Sequence, residues 1–84
     1  MTREEFYAKY GEVEVVFTSY YKYTFNYCAI LPNNRRLNVD YGGNGDDIYR
    51  HDVAVGKPIK IKDLCPYRGS VYEGSEEVED FYDY

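Results

Sequence analysis

"YYKYTFNYCAIL", residues 20–31, is the stretch with the strictest alternation in this chain. Tyr21, Tyr23, Phe25, Tyr27, Ala29 and Leu31 fall on one parity, and Lys22, Thr24, Asn26 and Cys28 on the other. Period two is the signature of a half-buried strand, because successive side chains point to opposite faces of a sheet. "LPNNRR" (31–36) follows as a turn: Pro32 presets its own dihedral angle, and Asn tolerates the left-handed region. "RLNVDY" (36–41) then returns with Leu37, Val39 and Tyr41 in step. Residues 21–41 are therefore predicted to form a long antiparallel hairpin. Its buried face would hold Tyr21, Tyr23, Phe25, Tyr27, Leu37 and Val39.

Working outward, the N-terminal side reads as a helix over 3–10. Thr2 is a good N-cap and Glu5 completes a capping box. Met1 and Phe6 stand at staple positions, Glu4 and Glu5 suit the positive end of the helix dipole, and Gly11 supplies a stop. "EVEVVF" (12–17) is a strand with Val13, Val15 and Phe17 on one face. On the C-terminal side, "GGNGDD" (42–47) breaks the pattern, "DIYRHDVAV" (47–55) reads as another strand, and "PIKIKDL" (58–64) alternates Ile59 and Ile61 with Lys60 and Lys62. "CPYRGSVYEG" (65–74) is loop or short strand. Ser75 is then read as the cap of a short C-terminal helix, with Val78, Phe81 and Tyr82 as its apolar stripe.

The expected fold is a single α+β domain over 1–84: an N-terminal helix on a twisted antiparallel meander of about five strands, closed by a short acidic helix. A small SH3-like barrel is the alternative. A chain of 84 residues buries only about 60–65% of its unfolded surface, so the core is thin. No apolar run is long enough to span a bilayer, and the charged first ten residues do not resemble a signal peptide, so a cytoplasmic protein is expected; its oligomeric state is left open, with a monomer slightly favoured. Cys28 and Cys65 have neither C-x-x-C spacing nor a histidine nearby. Zinc is not expected; two reduced thiols are, with a disulfide between them still open.

Charge divides sharply by position. The chain carries −5 in total, yet residues 69–84 alone carry −6 from Glu73, Glu76, Glu77, Glu79, Asp80 and Asp83, leaving +1 for residues 1–68. On a helix these acids would recur at three- and four-residue spacing and make a ridge of carboxylates. Aromatic rings interleave with them, and twelve Tyr and four Phe with no Trp make the whole chain rich in residues that interfaces favour. The expected partner surface is Glu73, Glu76, Glu77, Glu79, Asp80, Tyr82 and Asp83.

Catalytic chemistry finds little support. "YGGNGDDIYRHD" (41–52) offers a Gly-rich turn with Asp46, Asp47, His51 and Asp52, but it lacks a P-loop lysine, and His51 and Asp52 would point to opposite faces of a strand. Asp46, Asp47 and Asp52 stand as secondary candidates for partner contact only; no catalytic residue, metal or cofactor is expected. Arg35, Arg36, Arg50, Arg68 and the lysines interleave with tyrosines, which leaves a Tyr-rich nucleic-acid-binding domain as a third reading. The +1 body and the acidic end oppose direct binding to phosphate.

A small acidic domain ending in "EGSEEVEDFYDY" (73–84) resembles phage-encoded inhibitors, including the anti-CRISPR proteins that act as DNA mimics. The resemblance implies a stoichiometric inhibitor that uses its acidic surface to block the nucleic-acid-binding site of a bacterial CRISPR effector. An immunity- or antitoxin-like inhibitor of a nuclease is the alternative. The Arg/Tyr surface around Arg35, Arg36 and Tyr41 is the fallback contact region.

Overall fold

A computed structural model describes residues 1–21, 24–42 and 57–83. The chain begins with helix α1 (Arg3–Tyr10), as the capping box predicts: the Thr2 hydroxyl accepts the Glu5 backbone N–H at 3.2 Å. Gly11 ends the helix as expected, but with right-handed angles (φ −59°). Six strands follow among the described residues: β1 (Glu14–Tyr21), β2 (Thr24–Ile30), β3 (Arg35–Gly42), β4 (Ile59–Lys60), β5 (Arg68–Glu73) and β6 (Glu76–Tyr82). They form one antiparallel sheet in the order β4-β1-β2-β3-β5-β6. This is an α+β fold, and the sheet is open, with β4 and β6 at its edges, so the barrel alternative does not hold.

Three expectations change. The run 20–31 is not one strand. Tyr21 ends β1 and pairs with Thr24, so a two-residue connection divides the run into two strands. The β2–β3 part of the expected hairpin stands, in register from Thr24↔Gly42 to Ile30↔Arg36. Its turn is a 3-10 segment at Pro32–Asn34, with Asn33 and Asn34 both in the left-handed region (φ 66° and 61°). Second, the loop-or-short-strand reading of 65–74 resolves to a six-residue strand, β5, between β3 and β6. Third, the C-terminal helix is replaced by β6. Gly74 at φ +63°, followed by Ser75, makes a two-residue turn between the paired Glu73 and Glu76. A Gly-Ser pair of this kind favours the tight turn that joins twisted strands. Val78 sits at a bulge opposite Val71 and Tyr72 and is exposed, so it does not join Phe81 in the core. The strand expected over 47–55 and the side chains of Tyr21 and Tyr23 lie outside the described residues.

One face of the sheet is buried. Phe25, Tyr27, Leu37 and Val39 are buried as the alternation predicts, joined by Val15, Tyr41, Val71 and Phe81 from the sheet and by Phe6 and Tyr10 from α1. Ile61 and Leu64, around a short 3-10 turn at Ile61–Asp63, complete the cluster. Two aromatic groups organise it. Phe6 packs between Tyr10 and Phe81, with ring centroids 4.8 and 4.7 Å away. Phe17, Phe25, Tyr27 and Tyr41 form the second group at 5.9–6.4 Å. Gly69 on β5 lies beneath the first group, where an added Cβ would come within 2.9 Å of the Phe6 ring.

The opposite margin is tied by charge. Glu12, just before β1, accepts Lys62 Nζ at 2.7 Å and Lys60 Nζ at 3.0 Å. Those two ammonium groups hold its carboxyl down at about 2, from an ordinary value of 4.5. A carboxyl depressed in the folded state contributes stability that is present above the unfolded value and lost as pH falls through the folded one. Between pH 4.5 and about 2 the wild type should therefore lose stability more steeply than Glu12→Gln, by urea midpoints measured at each pH. Parallel profiles would show that this exposed pairing contributes nothing.

Strand and helix make opposite predictions at Val78 and Phe81. Phe81→Ala should cost about 3–5 kcal/mol in urea unfolding, whereas Val78→Ala should stay within about 0.5 kcal/mol. A helix with both residues facing inward would make both substitutions costly.

Candidate interaction surface

The β5–β6 hairpin carries every acid of the expected surface and distributes them by strand parity rather than along a helical ridge. Pairing of Gly69 with Phe81 and Val71 with Glu79 puts positions 79 and 81 on the α1 side. Pairing of Ser70 with Asp80, Tyr72 with Glu77 and Arg68 with Tyr82 puts positions 77, 80 and 82 on the open side.

On the α1 side three of the four carboxylates are held by internal cations. Glu79 receives Lys9 Nζ and the Tyr10 hydroxyl through its two oxygens, with Arg35 Nη2 at 3.9 Å. Asp83 pairs with Arg3 at 2.6 Å. Glu73 lies 3.2 Å from Arg35 Nε, close enough for an ion pair but off the line of a hydrogen bond. Glu79 is thus a structural residue that joins the end of α1, the start of β3 and the middle of β6. It is not on the outer face where the helical reading places it.

On the open side the acids have no internal cation among the described residues. Glu77 accepts the Tyr72 hydroxyl at 3.3 Å. The Asp80 carboxylate has no ion pair among the described residues, and the Asp80 carbonyl accepts the Met1 ammonium at 2.9 Å; Glu76, paired with Glu73 beside the turn and so on the α1 side, likewise has no ion pair among the described residues. Tyr82 is 47% exposed, with Arg68 stacked 5.8 Å from its ring centre and Tyr67 edge-on at 6.0 Å. Of the six acids of residues 69–84, three have no ion pair among the described residues: Glu77 and Asp80, on the open side with Tyr82, and Glu76 at the turn.

The fallback group is taken apart by the fold. Tyr41 is buried on the α1 side, Arg35 is held by Glu73 and Glu79, and of the three only Arg36 reaches the open face without an ion pair among the described residues. Asp46, Asp47, His51 and Asp52 lie outside the described residues. Cys28 and Cys65 are both free thiols. Among the described residues no group of three or more His, Cys, Asp and Glu could hold a metal ion, and no helix is long and apolar enough to cross a membrane. Compared with protein-family models, curated proteins and solved structures, the chain matches none.

The division of labour has a direct check. Glu79→Gln should lower stability by about 2 kcal/mol, since it weakens charge-assisted bonds from Lys9 and Arg35 at a largely covered site. Glu76→Gln should stay within about 0.5 kcal/mol. Equal urea midpoints for the two variants would return Glu79 to the set of free surface charges.

Proposed function

We propose that the protein is a non-enzymatic binding module that meets a basic surface of another protein with the open side of its β5–β6 hairpin. The observation that carries this is the set of carboxylates with no ion pair among the described residues: Glu77 and Asp80 on the open side with the exposed Tyr82, and Glu76 at the hairpin turn. A charge already held by Arg or Lys gives little to an incoming partner, whereas an unpaired one steers encounter and sets register. Tyr82, braced by Arg68 and Tyr67, has the character of an interface anchor: a large apolar ring with a polar tip, already restrained before binding.

A nucleic-acid-binding cleft is a fitting partner because it must concentrate Lys and Arg to meet phosphates. Occupying such a cleft would inhibit sterically and with one-to-one stoichiometry. Together with the resemblance to anti-CRISPR inhibitors, this makes a CRISPR effector the first partner to test and a bacterial nuclease, for the immunity-like alternative, the second. The mimicry is partial, because three of the six terminal acids are spent on the protein's own Arg3, Lys9 and Arg35.

The test uses the wild type and a Glu76→Gln/Glu77→Gln/Asp80→Asn variant. Each is titrated into a guide-loaded single-protein CRISPR nuclease, and separately into a DNase, with DNA cleavage as readout. Inhibition by the wild type near equimolar ratio is expected, weakening as salt rises. The triple variant should remain folded by circular dichroism and associate at least about tenfold more slowly. No inhibition of either enzyme would remove the nucleic-acid cleft as partner. Full inhibition by the folded variant would remove the acidic hairpin as the contact.

A further inference from the structure

The face of the sheet opposite α1 is not flat. A depression of about 350 Å³ crosses β1, β2, β3 and β5. That is within the size range of small-molecule sites. Strand pairing arranges its floor in rows: Asn26, Asp40 and Arg68 lie across from one another, Asn38 and Ser70 form the next row, and Arg36 with Tyr72 the third. Short amides and hydroxyls occupy the centre and longer side chains the margin, and this difference in length makes the concavity.

The floor is partly withdrawn from water. Ser70 is only 4% exposed although it faces the open side. Burial pushes the Asp40 carboxyl above its ordinary range, against the opposing pull of Arg68, whose Nε is 3.6 Å away. The Asn26 amide donates to Ser19 at 3.2 Å and keeps its oxygen as an acceptor. The side chains of Arg36, Asn38 and Ser70 have no hydrogen-bond or ionic partner among the described residues. The depression therefore presents donors and acceptors of both kinds at fixed strand spacing, over a floor more polar than apolar.

Charge narrows the occupant. Arg36 and Arg68 stand against Asp40 within the depression, and Glu77 and Asp80 stand on the β6 side of it. A polyanion would meet those carboxylates and a polycation would meet the arginines. A neutral molecule whose groups each donate and accept would satisfy the floor without either conflict. We propose that this depression binds a neutral saccharide, held by Asn26, Asn38, Asp40 and Ser70 and bounded by Arg36 and Tyr72. The depression adjoins the acidic hairpin surface and shares β5 with it, but the residues that would hold the sugar are not the carboxylates assigned to the partner.

The test is a nuclear magnetic resonance titration of the labelled full chain with cellobiose, maltose and N,N′-diacetylchitobiose, with a heparin oligosaccharide as the polyanionic comparison. At least one neutral disaccharide should give saturable shifts centred on the amides of Asn26, Asn38 and Ser70. Asn38→Ala should weaken that binding about tenfold, the equivalent of one or two lost hydrogen bonds. Arg36→Gln, at an exposed position that the fold tolerates, should weaken it severalfold, and Glu76→Gln should leave it unchanged. The proposal is overturned if none of the three disaccharides gives a saturable shift or if the shifts lie elsewhere. It is equally overturned if both variants bind like wild type, or if the heparin oligosaccharide binds more tightly than every neutral sugar.

Discussion

Everything in this fold leans on the contact of Phe6 with Phe81 across Gly69. The two rings, 4.7 Å apart, come from the first helix and the last strand, and Gly69 gives them the floor on which they meet. A short helix of eight residues is marginal alone, so α1 depends on this packing for its existence. Strand β6 has only β5 as its neighbour in the sheet and depends on α1 for cover in return. Glu79 reinforces the same junction with polar contacts, placing a carboxylate where Lys9, Tyr10 and Arg35 converge. Removing either the ring pair or that carboxylate loosens the ends of the chain together.

The acids of β6 then acquire a second meaning. An edge strand exposes unpaired backbone groups and invites pairing with other strands, and folded proteins commonly blunt such edges with charge, bulges or a covering helix. Here Glu76, Glu77 and Asp80 supply charge, Val78 supplies the bulge, and α1 with its Met1 ammonium on the Asp80 carbonyl supplies cover. Protection against self-association and the proposed attraction of a basic partner would draw on the same three carboxylates. Like charges keep two copies of this edge apart while leaving it open to a surface of opposite sign.

How much of this could be read beforehand depended on whether a pattern was local. The helix was legible because Thr2, Glu5, Phe6 and Gly11 all signal within ten residues. The buried face of β2–β3 was legible because Phe25, Tyr27, Leu37 and Val39 alternate without interruption. The β1–β2 turn was hidden because alternating residues continue on both sides of it, with no Gly, Asn or Pro at positions 22–23 to mark a reversal. At the C-terminus, Val78, Phe81 and Tyr82 match helical spacing, but Gly74-Ser75 between "VYE" and "EEVEDFY" is a hairpin signal of comparable strength. The long-range pairing of β6 with β5, and its cover by Phe6, decides in favour of the strand. No local pattern could assign Glu79 to Lys9 and Arg35, because those partners lie 70 and 44 residues away in sequence.

The remaining charge bears on what kind of recognition is physically open to the hairpin. Strand β6 has seven residues and spans about 23 Å at the usual rise per residue. Duplex DNA over that length carries about 13 phosphate charges, against three carboxylates on this hairpin that have no ion pair among the described residues. A cleft built for DNA would therefore recover only a fraction of its electrostatic free energy from this surface. Charge alone would give a fast, salt-sensitive and weak encounter. A lasting complex needs apolar contact as well, and Tyr82 and Val78 are the exposed side chains positioned beside those carboxylates to provide it. The carboxylates would then govern how quickly a partner arrives, and the aromatic edge how slowly it leaves.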